Sequence, residues 1–226
     1  MTSSLFTLSL TSLVSLIHED DNIILQAPIR SPLKKTTPTR QVKFEHPSSG
    51  LISALNHLKS SQKTYPQLKA LVVAADGEEA GERFDVELEK LINTGWVSHS
   101  LYPLATVIPI VEKNYRFKSP EIAQLQGKFT LSRFAYLHQS QGKTIIECPL
   151  STSQIIALDW RCGALLAKLS QPQTPSSLSA DIPDITEEIA QKFLALLMAT
   201  QMLSPETEPT PLESSVGEFL LGSVRN

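Results

Sequence analysis

The sequence is short of the residues that announce most chemistries. Its 226 residues hold two cysteines (Cys148 and Cys162), nine glycines and 6% aromatics. Two cysteines without a CxxC pair exclude a disulfide framework and argue against a structural zinc site, and they fit a reducing compartment. The glycines are scattered, so neither a GxGxxG nor a GxxxxGKS/T phosphate loop is present. A GxSxG nucleophile elbow and an HExxH helix are missing as well. No run of 18 apolar residues occurs, so no membrane-spanning helix is expected. Few aromatics leave no obvious stacking platform for bases. A net charge of −3 gives no bulk attraction to nucleic acid, although a local basic patch would escape that argument.

What is present is an ordinary globular composition, 41% hydrophobic and 19% charged, in a chain long enough for one or two domains. The stretch Met1 to Ile17 is rich in Leu and Ser but lacks the basic start and small-residue cleavage site of a signal peptide. Phe6-Thr7-Leu8-Ser9-Leu10-Thr11 alternates apolar and hydroxyl residues, the period of a strand. A cytoplasmic protein is expected.

Laid against itself, the chain repeats with an offset of about 110–120 residues. Residues 12–31 and 132–151 each give a short apolar strand reaching His18 or His138, a polar turn, and a second strand ending at Pro28 or Pro149. That is a β-hairpin, with turns that differ in length by one residue. Each copy continues into a helix: Leu51, Ile52, Leu55 and Leu58 in the first, and Ala164, Leu165, Leu166 and Leu169 behind an Asp159 cap in the second. Turns at 64–68 and 174–178 lead into a second helix. Amphipathic helices over 83–97 and 185–203 close the copies, each followed by a short strand. The order predicts an α+β fold of tandem winged-helix-like modules, each a hairpin packed on about three helices. The expected modules are 1–103 and 131–203, with a connecting segment over 104–130 and a linker-like tail over 204–226. The run Leu104 to Val111 reads as a strand joining the modules. Residues 30–43 read as an exposed basic loop.

Candidate chemistry is thin. The five histidines share no metal-ligand spacing, and the matched positions of His18 and His138 point to a structural role. Asp76, Glu78, Gly81 and Glu87 imitate a calcium loop, but Ala80 and Arg83 spoil it, and an acidic first helical turn is the better reading. Arg30, Lys34, Lys35, Arg40 and Lys43 form the best basic cluster, a solvated loop by default and otherwise a contact for an acidic peptide or for phosphate. Glu87, Glu89, Glu187 and Glu188 on the closing helices argue against a recognition helix in a DNA groove. Trp96 and Trp160, at helix ends, are expected in the core.

The runs LSRFAYLHQSQGKTIIECPLS (131–151), IIALDWRCGALLAKLSQPQTPSSL (155–178) and ALLMATQML (195–203) resemble the N-terminal region of SagB-type dehydrogenases. These are FMN oxidases that convert azolines to azoles in ribosomal peptide natural products, cyanobactin oxidases included. LINTGWVSHSL (91–101) followed by PLATVIPI (103–110) is similar to the family's module junction, so the resemblance covers nearly the whole chain. It implies winged-helix elements that clamp a leader peptide, the peptide adding as a strand beside the hairpin and packing on the third helix. By that analogy the peptide-binding edges are Ile23, Leu25 and Ala27, facing Leu88 and Ile92, and Thr144, Ile146 and Cys148, facing Phe193 and Leu197. In the family a flavin domain follows, and Gly217-Glu218-Phe219 resembles its first residues. No FMN, catalytic or metal residue is therefore expected in this chain. The expected role is a non-catalytic peptide-recognition region that binds the precursor peptide. The alternatives are an accessory subunit completing a separately encoded flavin-domain protein, and a winged-helix DNA-binding regulator, which the charge pattern disfavours.

Overall fold

The computed structural model describes residues 5–29, 39–112 and 114–205. The elements of the first half are β1 (Thr7–Leu10), β2 (Ser15–Glu19), β3 (Asn22–Pro28), β4 (Thr39–Glu45), α1 (Ser49–Ser60), β5 (Lys63–Thr64), α2 (Tyr65–Asp76), α3 (Glu78–Asn93), β6 (Val97–Leu101) and β7 (Ala105–Pro109). The second half, after a 3₁₀ turn at Ile122–Gln124, gives β8 (Phe129–Leu131), β9 (Tyr136–Ser140), β10 (Lys143–Glu147), β11 (Ser153–Ala157), α4 (Trp160–Lys168), α5 (Pro175–Ser179), α6 (Glu187–Ala199) and β12 (Leu203–Pro205). The fold is α+β.

The repeat runs deeper than the hairpins. Each half has a leading strand (β1, β8), a three-stranded antiparallel meander (β2-β3-β4, β9-β10-β11), three helices, and a closing strand that pairs antiparallel with the leading one: β6 with β1, and β12 with β8. Helix starts follow from local chemistry. Asp159 accepts from the Arg161 N–H at 2.8 Å, Thr174 from Ser177 at 3.1 Å and Thr186 from Ile189 at 3.3 Å, each satisfying an orphan N–H of a first turn. α2 and α3 meet at Gly77, whose φ of +88° suits glycine. Asp85 on α3 fixes their crossing by accepting from Tyr65 Oη and Lys69 Nζ on α2, both at 2.7 Å.

A seven-stranded sheet, β5-β1-β6-β7-β11-β10-β9, runs through both halves. The first meander stays apart as a three-stranded sheet, β2-β3-β4. Two apolar cores lie against these elements. One gathers Leu8, Leu10, Ile23, Leu25, Phe44, Leu55, Val72, Phe84, Leu88 and Trp96. The other gathers Phe6, Leu101, Val107, Ile146, Ile155, Cys162, Leu166, Phe193 and Leu197. Partly buried Phe117 packs against both.

Several expectations need correction. Both hairpin turns have two residues, Asp20-Asp21 and Gln141-Gly142, with Glu19 opposite Asn22 and Ser140 opposite Lys143. His18 therefore pairs with Ile23, whereas His138 pairs with Ile145, one step further from its turn. Because strand side chains alternate with period two, that offset puts the two histidines at inequivalent positions, and Gln139 is the counterpart of His18. The expected loop over 30–43 is a strand from Thr39 onward, while Arg30, Lys34 and Lys35 lie outside the described residues. Trp96 is buried, but Trp160 is 66% exposed. As the first residue of α4 it points away from the face that buries Cys162, Leu165 and Leu166.

Candidate functional site

The two strands named as peptide edges are not edges. β3 is paired on one side with β2 and on the other with β4, and β10 lies between β9 and β11. Their apolar side chains are spent on the cores. Ile23, Leu25 and Ala27 are buried with Leu88 and Ile92, and Ile146 and Cys148 are buried with Phe193 and Leu197. Thr144 alone of the ten is half-buried. The other nine belong to packed interior rather than to open surface.

The edge lies one strand over. Among the described residues β4 pairs on one side only, with β3, from Thr39 opposite Pro28 to Glu45 opposite Asn22. An edge strand presents a row of backbone N–H and C=O groups without ladder partners. Arg40, Val42 and Phe44 sit opposite Ala27, Leu25 and Ile23 and share their core-facing side, while Thr39, Gln41, Lys43 and Glu45 are exposed.

The first half of β4 is pinned just past the end of α3. The Arg40 guanidinium donates to the Thr94 carbonyl and, at 3.1 Å, to the Gly95 carbonyl, and it lies 4.2 Å from the Trp96 ring centroid. This is a cation over an aromatic face combined with charge-assisted capping of C-terminal carbonyls. Around the second half of β4 a cleft of about 620 Å³ opens between Lys43–Glu45 and α3. Leu51, Val72, Ala80 and Phe84 supply apolar lining, and Val86, 55% exposed, stands on the α3 side. The charged residues of the rim are paired: Lys43 with Glu45 at 2.9 Å, Arg83 with Glu79 at 2.8 Å and Lys90 with Glu87 at 2.8 Å. The Lys43 hydrogen bond holds the Glu45 carboxyl below its usual range.

The cleft can grip an extended segment by its main chain along β4 and by apolar side chains against α3. Asp76, from the calcium-like run, instead caps α1, accepting from Ser49 Oγ at 2.9 Å and the Gly50 N–H at 2.7 Å. Among the described residues no three His, Cys, Asp or Glu side chains cluster as a metal site would require. Nor is any described helix long and apolar enough to cross a membrane. Sequence reasoning missed β4, although Val42 and Phe44 alternating with Gln41, Lys43 and Glu45 carry the strand period.

A comparison with curated proteins finds no match. Family models do match, and together they span most of the chain. Residues 129–215 match the family described as cyanobactin oxidase ThcOx. Residues 1–118, more than half of the chain, match the family described as the ThcOx helix turn helix domain. The chain belongs to the ThcOx helix-turn-helix family and is related through both halves to the cyanobactin oxidases.

Proposed function

We propose that this chain is the precursor-peptide recognition region of a cyanobactin oxidase, holding the peptide extended along the β4 edge and against α3. The observation that carries the reading is the β4 edge, paired on one side only among the described residues, beside an apolar-floored cleft, in a chain of this family. Strand addition suits peptide recognition because main-chain hydrogen bonds supply affinity whatever the side chains, and pockets for alternate residues supply selectivity. In this reading the region, built of winged-helix-like modules over 1–103 and 131–203, serves recognition rather than catalysis, and its peptide site lies in the first module. The oxidation chemistry belongs to a flavin domain, joined to this region or supplied as a partner protein.

The test is titration of the whole chain with a synthetic cyanobactin precursor peptide. Binding is expected, and Val86→Glu weakens it by about tenfold or more, since the substitution puts a charge where an apolar side chain must dock. Val86 is 55% exposed, so the variant keeps its fold and its thermal midpoint. Equal affinity of the two proteins would remove the cleft from the reading.

A further inference from the structure

The internal repeat shows what fills such an edge. β4 and β11 are the third strands of equivalent meanders, each followed directly by the first helix of its module. In the first module the outer edge of β4 has no strand beside it among the described residues. In the second, the same edge of β11 is taken by β7, which arrives from the segment between the modules. The pairing is antiparallel and complete along the strand, from Ser153 opposite Pro109 to Ala157 opposite Ala105. Burial along β7 alternates: Ala105, Val107 and Pro109 are buried, and Thr106 and Ile108 are half-buried. Ala105 and Val107 enter the core that also holds Phe193, Leu194 and Leu197 of α6, the closing helix equivalent to α3.

From this we infer that β7 is a built-in occupant of the second module's peptide edge, so that the two modules are not equivalent and only the β4 edge takes a peptide. The inference rests on the reading above and sharpens it. β7 also specifies the ligand: an extended segment running antiparallel to β4, with small or branched apolar side chains, as at Ala105 and Val107, at two alternate positions directed at α3. The intervening positions face solvent beside Gln41, Lys43 and Glu45.

Hydrogen exchange read by mass spectrometry on the whole chain tests this, with a synthetic cyanobactin precursor peptide as the probe. In the free chain, amides of 153–157 are expected to exchange slowly and those of 39–45 markedly faster. On saturation, 39–45 slows by about tenfold or more and 153–157 does not change. An aspartate scan of the peptide shows losses of about tenfold at alternate positions and small effects between them. Protection gained over 153–157, or exchange of 105–109 accelerated as β7 is displaced, overturns the inference while leaving peptide recognition standing. Slow exchange of 39–45 in the free chain overturns it too, because that edge would already be covered. A probe that alters no segment overturns both readings.

Discussion

His99 illustrates how a single side chain can tie stability to pH. It sits on β6, 1% exposed, stacked on Phe117 with ring centroids 3.9 Å apart and tilted against Tyr115 at 6.5 Å. Burial without a charged partner drives its pKa down to about 3. A base whose folded pKa lies below its unfolded value of about 6.5 must be neutral to fold, so its contribution is complete above pH 6.5 and is lost progressively between there and about pH 3. Within that window this group alone costs up to about 1.4 kcal/mol per pH unit. Denaturant midpoints from pH 7 to pH 4 should fall less steeply in His99→Leu than in the wild type. Identical slopes would mean that the carboxylates, not His99, set the acid limit. The same residues show what sequence can and cannot tell. Cys162, which no motif singled out, is buried among apolar neighbours, and burial pushes its thiol up to about 12. Trp160 is exposed because a helix start sets its direction, and composition does not carry direction.

Among the elements, the local ones were legible and the partnerships were not. The hairpins follow from turn residues flanked by apolar alternation, and the helix starts from Asp159, Thr174 and Thr186. β4 was hidden because its alternation emerges from a Pro-, Thr- and Lys-rich run whose composition signals a loop. The pairings that decide where an edge is open, β7 with β11 and β1 with β6, join strands distant in sequence, and no local pattern encodes them. Contact between α1 and α2 gives a sharper check of packing. A Cβ at Gly50 would lie 2.4 Å from an Asp76 carboxylate oxygen and 2.8 Å from the Val72 Cα. The Val72 backbone cannot step aside cheaply. Gly50→Ala should therefore destabilise the chain by about 1–3 kcal/mol despite the better helix propensity of alanine. Chemical denaturation measures it, and a neutral or stabilising result would show that the helices are free to separate.

At the scale of the molecule, the two repeats share too much to behave as separate bodies. One sheet crosses from β5 to β9, and successive inward residues of the first strand region divide between the cores, Phe6 to one and Leu8 and Leu10 to the other. Calorimetry should show a single unfolding transition with calorimetric and van't Hoff enthalpies in agreement. Two resolved transitions would mean that the shared sheet is no mechanical link. The same continuity bears on the turn Tyr102–Leu104, which is all that separates β6 from β7. A strand tethered by so short a turn meets its edge at an effective concentration on the order of millimolar or higher. A free peptide at about micromolar levels competes against it at a disadvantage on the order of a thousandfold, before any difference in contacts is counted. Covalent proximity thus defends the β11 edge whatever the fit, and a cut in that turn would weaken the defence without changing a single side chain.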